Sequence, residues 1–255
     1  MFGSVWVFDK PEARCLAIDH QVQGGSFLDQ TGKPGPVAES LYMNGWLMAG
    51  ADKPNGSGVM LGLGSGAGPI ALLSCFPGFD LTVVEIDPVV IDMCRKHFHL
   101  VGKFEDEGRL RIVCKSSSDY LTESETAESH WDVGFGDAYQ GREAWSVERE
   151  ELSQLVRLCD VVWLNYIGRR KSYEFLNVKS TVRRAGADLT RVWDCQDHLP
   201  QTSPRNLILT NSSVPDDVLD AFEPYEAIES EPAGKARASY RRILQHETVL
   251  GSTGD

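Results

Sequence analysis

The sequence predicts an α/β protein with a mostly parallel sheet and a small β domain at its N-terminal end. From residue 59 onward, strand-like apolar runs alternate with helical segments, as parallel strands joined by crossover helices do. The short apolar runs at residues 4–8 and 15–18 are separated by a turn-rich cluster, which is typical of an antiparallel hairpin. A glycine-rich loop at residues 62–68 lies where the first parallel strand must turn tightly into a helix.

The N-terminal part is predicted to be a small β domain with a connecting helix. In chain order we expect a hairpin or small antiparallel sheet, a loop rich in glycine and proline, and a helix, at residues 5–28, 30–36 and 38–51. Residues 52–58 contain a proline, two glycines and a serine, which makes them the best linker in the chain. We therefore predict two domains, at residues 1–52 and 53–255.

The second domain is predicted to contain the parallel sheet. Strands are expected at residues 59–63, 81–86, 110–113, 132–136 and 160–165. Helices are expected at residues 69–75, 88–99 and 172–185. Residues 190–194 and 205–210 are predicted to close the sheet as a late antiparallel edge pair.

The charge balance of the chain excludes some partners. There are 37 acidic side chains against 25 basic ones, which gives a formal net charge of −12 at pH 7. Nucleic-acid affinity depends mainly on lysine and arginine, so this balance argues against a nucleic-acid partner. The six cysteines lack short C-x-x-C spacings and the histidines lack an HExxH pattern, so we expect no metal site.

The sequence indicates a cytoplasmic protein without a membrane partner. The apolar residues 1–8 run directly into charged residues and a proline, unlike a secretory signal. The most apolar longer stretch, residues 59–76, is interrupted by several glycines and a proline, unlike a transmembrane helix.

The strongest functional signal is the glycine loop together with an acidic residue on the next strand. Gly62, Gly64 and Gly66 permit a tight turn and a close approach of a ligand to the backbone. Glu85 ends the next strand about 20 residues later, where a carboxylate can accept hydrogen bonds from ribose hydroxyls. Because the loop is tighter than a dinucleotide loop and Pro69 opens the helix, an adenosyl group with a sulfonium tail is favoured. A dinucleotide site and a purely structural turn are the alternatives.

These motifs resemble those of the polyamine aminopropyltransferases, the spermidine and spermine synthases. The stretches that carry the resemblance are residues 14–23, 59–66, 83–98, 109–112 and 131–137. The resemblance implies the Rossmann-like fold that this family shares with the class I methyltransferases, and it implies a homodimer.

The resemblance also implies a site for decarboxylated S-adenosylmethionine or S-adenosylmethionine, with no metal. The loop glycines would line the tail of the ligand, Glu85 would hold its ribose, and Gln23 would reach in from the hairpin. Asp137, at the end of a later strand, would accept the proton of the attacking amine and hold its cation. Tyr42, Tyr139 and Gln140 are the candidate substrate contacts.

The sequence departs from the family at several acidic positions. Ser116 stands where the family has an aspartate for the adenine amino group, and Asp119, one helical turn later, is a stand-in. Asn44 and Gln140 are neutral where the family has carboxylates near the substrate. Losing these charges weakens the binding of a di- or tricationic amine.

We therefore expect a transferase that moves an aminopropyl-type group from an adenosylated sulfonium to a small-molecule amine. An S-adenosylmethionine-dependent methyltransferase is the first alternative. The second alternative is a binding or scaffold protein of the same fold without turnover, which Ser116 and Gln140 favour. All three readings rest on sites rather than on the fold.

Overall fold

A computed structural model describes residues 3–10, 13–19, 21–28, 34–38, 43–98, 100–138, 149–169, 172–194, 205–212 and 248–249. Over these residues the chain forms one four-stranded sheet, one eight-stranded sheet and the helices that join the strands. The predicted contacts Tyr42, Tyr139 and Gln140 lie outside the described residues.

The N-terminal sheet is an antiparallel meander. Its strands are β1 (Val5–Lys10), β2 (Ala13–Ile18), β3 (Gln21–Leu28) and β4 (Pro34–Ala38), and they pair in chain order. The predicted small sheet is therefore confirmed. The expected loop at residues 30–36 is wrong at its end, because Pro34 begins β4; the strand lies at the edge of the sheet, where a residue without an N–H is tolerated.

Helix α1 (Met43–Asp52) follows the meander and begins later than the expected residue 38. The difference arises because residues 34–38 pair with β3 as a strand. The turn between α1 and the next strand falls in the predicted linker. The division into two domains at residue 52 stays a prediction.

The second sheet contains the predicted parallel strands. Its members are β5 (Ser57–Leu61), β6 (Asp80–Glu85), β7 (Leu110–Cys114), β8 (Trp131–Gly136), β9 (Cys159–Gly168), β10 (Arg191–Asp194), β11 (Arg205–Thr210) and β12 (Thr248–Val249). Their order is β12-β10-β11-β9-β8-β5-β6-β7. The five strands from β9 to β7 are parallel, whereas β11 and β10 are added antiparallel, as expected for the late pair.

The strand order reverses at β5. The chain runs from β5 to β6 and β7 on one side and returns to β8 and β9 on the other. Ligands of open α/β sheets bind in the crevice that such a reversal opens at the carboxyl ends of the strands. The topology therefore makes the ends of β5, β6 and β8 the candidate location of a binding site.

Six further helices connect these strands. They are α2 (Ala67–Cys75), α3 (Pro88–His97), α4 (Leu100–Asp106), α5 (Ser117–Thr126), α6 (Arg149–Leu158) and α7 (Tyr173–Arg184). The helix expected at residues 88–99 ends two residues early, because Phe98 leaves the helical conformation with a φ of −122°. Within the described residues, no helix has both the length and the apolarity needed to cross a membrane.

The core extends over both faces of the parallel sheet. On β5, Val59 and Leu61 belong to one apolar cluster and Met60 to the other, as expected for a central strand that is covered on both sides. Leu16 of β2 and Trp46 of α1 lie in the same cluster as Met60. The N-terminal sheet and the parallel sheet therefore share one core.

Phe135 is a test of this shared core. It is 0% exposed, and its ring lies 5.2 Å from that of Trp46 and 6.5 Å from that of Phe79. We expect Phe135→Ala to lower the free energy of unfolding by about 3–5 kcal/mol, because the cavity and the lost transfer energy add. Urea unfolding followed by circular dichroism measures the change. Leu176→Ala on α7, where the side chain is 54% exposed, is the control and should cost under about 1 kcal/mol; a similar loss in both variants contradicts the expectation.

Candidate functional site

The candidate site lies at the carboxyl ends of four neighbouring parallel strands. Gly62 follows β5, Glu85 ends β6, Ser116 lies two residues after β7, and Asp137 follows β8. Because the carboxyl ends of parallel strands meet at one edge, these residues lie in the crevice at the strand reversal. The structure thus brings together four positions that the sequence predicted separately.

The glycine loop makes the turn from β5 into α2. Gly62, Gly64 and Gly66 have φ angles of 96°, 54° and 73°, a region that side chains with a Cβ disfavour. A Cβ on Gly62 would lie 2.6 Å from the carbonyl oxygen of Asp137. Glycine at this position therefore lets the end of β8 approach the loop closely.

Glu85 is bonded to the loop through its carboxylate. Oε2 accepts a hydrogen bond from the backbone N–H of Leu63 at 3.0 Å, and Oε1 accepts one from the backbone N–H of Asp87 at 2.9 Å. Burial raises the pKa of the Glu85 carboxyl, and these hydrogen bonds partly oppose the rise. Each carboxylate oxygen accepts two hydrogen bonds, so Glu85 keeps acceptor capacity for a ligand hydroxyl.

Ser116 and Asp119 are bonded to each other at the start of α5. Ser116 is the N-cap residue: its hydroxyl oxygen accepts from the backbone N–H of Asp119 at 3.1 Å and its O–H donates to Asp119 Oδ2 at 2.7 Å. Asp119 is exposed. The pair therefore places one hydroxyl and one carboxylate at the end of β7. The role of Ser116 as the N-cap of α5 accounts for a serine at this position.

Two residues that were not among the predicted site residues lie beside Glu85. Ile86 is an apolar side chain that is 38% exposed, and Cys114 is exposed opposite Glu85 in the pairing of β6 with β7. The Cys114 sulfur lies 3.9 Å from the carbonyl oxygen of Ile86. An apolar residue between the two acids Glu85 and Asp87, at a strand end, was the signal that could have indicated this surface.

Asp137 is partly buried at the end of β8. Its backbone N–H donates to the carbonyl oxygen of Leu61 at 3.0 Å, and its Oδ1 accepts from Asn165 Nδ2 at 2.8 Å. Burial raises the pKa of the Asp137 carboxyl to about 7, and the bond from Asn165 opposes the rise. The group can therefore take up a proton near neutral pH, as a general base must.

Strand β3, which carries Gln23, borders the glycine loop. The carbonyl oxygen of Gln23 lies 3.5 Å from the position of a Cβ on Gly64, and Gly24 packs against Ser65. The side-chain amide of Gln23 donates to the carbonyl oxygen of Gln21 at 3.4 Å. In the described parts of the chain, no cluster of three histidine, cysteine or acidic residues is placed to bind a metal ion.

Comparisons with known proteins show that this chain is similar to solved structures in its fold. No family model matches the chain, and no curated protein is significantly similar in sequence. A probable spermidine synthase from Corynebacterium glutamicum ATCC 13032 matches with a TM-score of 0.59 at 17% identity, over 92% of this chain and 82% of that one. The spermidine synthase from Thermotoga maritima matches with a TM-score of 0.57 at 14% identity, over 94% and 83%.

A spermidine synthase solved in complex with the transition state analogue AdoDATO also matches, with a TM-score of 0.57 at 14% identity, over 94% of this chain and 84% of that one. At such identities the similarity shows the fold. It confirms the predicted α/β architecture, a Rossmann-like sheet of the class I methyltransferase type with a small N-terminal β-sheet.

The close approach at Gly62 is testable by adding one methyl group. We expect Gly62→Ala to lower the free energy of unfolding by at least about 2 kcal/mol, because alanine is strained at this φ and meets the Asp137 backbone. Gly102→Ala in α4 is the matched control: its Cβ would meet nothing within 4 Å, and alanine favours a helix. Chemical denaturation of both variants measures the difference, and equal stabilities contradict the proposed close approach.

The raised pKa of Asp137 predicts a pH dependence of stability. The folded carboxyl titrates at about 7 and the unfolded one near 3.8, so the native state binds the extra proton between these values. Stability contributed by this group is therefore complete at low pH and is lost as the pH rises through about 7. Asp137→Asn should gain stability relative to the parent protein across this interval, by up to about 4 kcal/mol. A difference in unfolding free energy that is constant from pH 4 to pH 8 contradicts the assignment.

Proposed function

We propose that this protein is a transferase that binds an adenosylated sulfonium, either decarboxylated S-adenosylmethionine or S-adenosylmethionine, and transfers an aminopropyl-type group to a small amine. One observation carries the proposal: the glycine turn joins two carboxylates of different chemistry. Leu63 in the turn donates to Glu85, and Gly62 in the same turn packs on the backbone of Asp137.

The site offers each part of a nucleoside a matching surface. The remaining acceptor capacity of the Glu85 carboxylate suits a ribose hydroxyl. Ile86 and Cys114 offer an apolar surface to a heteroaromatic base, and the carboxylate of Asp119 suits an amino group at the edge of that base. The open backbone at Gly64 leaves room for the sulfonium tail.

Asp137 supplies the protein chemistry that the reaction requires. The amine nitrogen attacks the carbon beside sulfur, the carbon–sulfur bond breaks, and its electron pair stays on sulfur as a neutral thioether. An ammonium ion has no lone pair for this attack, so the nitrogen gives its proton to the Asp137 carboxylate. The sulfonium is already a good leaving group, so the remaining task is to align the two reactants.

The names of the structural relatives support aminopropyl transfer as the first candidate. Three of them are spermidine synthases, and one was solved with a transition state analogue. Methyl transfer from S-adenosylmethionine is the second candidate. It is favoured by the neutral Asn44 and Gln140, because a monocationic acceptor needs fewer carboxylates than a polyamine.

The proposal includes a homodimer that is located in the cytoplasm. Its binding partner is the small-molecule amine, and neither nucleic acid nor a membrane is a partner. The dimer rests on the resemblance to the aminopropyltransferases. The exclusion of nucleic acid rests on the formal net charge of −12.

Ligand-dependent melting tests the proposal. Methylthioadenosine, decarboxylated S-adenosylmethionine and S-adenosylmethionine are compared by thermal shift, where a ligand at 100 times its Kd adds about 2.7 kcal/mol. A larger shift with the first two supports aminopropyl transfer, and a larger shift with S-adenosylmethionine supports methyl transfer. The absence of a shift with all three ligands contradicts the proposal.

Two variants assign the residues. Glu85→Gln should reduce the shift strongly, whereas Glu105→Gln, which alters the surface ion pair with Arg95, should leave it unchanged. Asp137→Asn should abolish product formation, followed by mass spectrometry with putrescine as the probe amine, while keeping the shift. If Asp137→Asn is fully active, Asp137 does not have the proposed role. If the parent protein shows a thermal shift but forms no product, the alternative of a binding protein without turnover is favoured.

A further inference from the structure

Asn165 is a buried amide in an apolar strand. It is 2% exposed on β9, between Leu164 at 0% and Tyr166 at 1%. Burying an amide costs free energy unless it is hydrogen-bonded, so a polar side chain here requires a partner. The strand pairing explains which partner it has: β8 and β9 are parallel with Gly136 beside Leu164, so the next residues, Asp137 and Asn165, lie side by side.

The bond between them has a defined direction. An ionised carboxylate only accepts hydrogen bonds, so Asn165 presents its Nδ2 to Asp137 Oδ1, at 2.8 Å. Within the described part of the chain, Oδ2 receives no hydrogen bond. The amide thus occupies one oxygen of the carboxylate and leaves the other for a ligand.

The surroundings of the pair contain few other charges. Across β9, Asn165 is opposite the apolar Ile208 of β11, and Asp137 packs on the backbone of Gly62. The other titratable groups at this edge are used elsewhere: Glu85 is bonded to the glycine loop, and the Cys94 thiol of α3 donates to the carbonyl oxygen of Gly64 at 3.2 Å. Asn165 is therefore the side chain placed to control the carboxyl of Asp137.

We propose that Asn165 is a positioning residue: it fixes the rotamer of Asp137 and stabilises its ionised form, so that Oδ2 faces the amine of the substrate. The inference rests on the proposed function, in which Asp137 takes the proton. An apolar residue on β9 would fill the same space without a polar group to bury. A hydrogen bond to the charged form of an acid lowers its pKa, which keeps part of Asp137 ionised at neutral pH despite its burial.

The test measures the titration of Asp137 without turnover. The carboxyl carbons of labelled protein are followed by NMR against pH, and the Asp137 signal is identified by its absence from Asp137→Asn. In Asn165→Leu, which is similar in size, we expect the midpoint of Asp137 to rise by about one to two pH units, because the hydrogen bond to the charged form is lost. Thr210→Val on β11, which removes a different buried polar group beside β9, a hydroxyl, should leave the midpoint unchanged.

An unchanged midpoint in a folded Asn165→Leu protein overturns the inference. Asn165→Asp covers the case in which the leucine variant does not fold, since the introduced carboxyl has the shape of the amide. Two carboxyls in contact share one proton, so Asp137 should then titrate in two coupled steps; a single unshifted step also overturns the inference. Because no ligand or product enters this measurement, its outcome is separate from that of the melting and turnover experiments.

Discussion

The turn that follows β5 holds the candidate site together. Gly62 is constrained from two sides. Its backbone N–H donates to the carbonyl oxygen of Val84 on β6, and a Cβ at this position would meet the carbonyl oxygen of Asp137 beyond β8. One residue later, Leu63 bonds the carboxylate of Glu85. The left-handed backbone at Gly62 is what allows the three strands to end within contact of one another. The positions of both carboxylates follow from this single turn.

The electrostatics of the site are local rather than global. The chain has a formal net charge of −12, yet Asn44 and Gln140 are neutral where the resemblance to the aminopropyltransferases implies acids near the amine. Burial raises the pKa of the Glu85 carboxyl and of the Asp137 carboxyl, which favours the protonated form of both. Their surroundings differ, because Glu85 is held by backbone N–H groups and Asp137 by a side-chain amide. That difference suits one to hydrogen bonding with hydroxyls and the other to proton transfer.

Much of the fold was predictable from the sequence because its signals are local. The glycine loop, the strand that ends in Glu85 and the strand before Asp137 are each contained in a few consecutive residues. Strand β4 was missed because Pro34 indicates a loop unless its edge position is known. Asn165 was missed for a related reason: its importance depends on the register of β9 against β8, which pairs residues 28 apart in the chain. Ser116 was interpreted from the sequence as the replacement of an acidic residue, and only the structure shows that it also caps the N-terminus of α5.

The core that the two sheets share has a consequence for the order of synthesis. The meander of β1 to β4 pairs only neighbouring strands, so it can close as soon as it leaves the ribosome. Its inner face, with Leu16, and Trp46 on the following helix are covered by residues of the parallel sheet, among them Phe135, which is made much later. Until β8 is added beside β5, the nascent chain carries an apolar surface without its cover. The window between these two events is the stage at which this protein is most exposed to aggregation and to binding by chaperones.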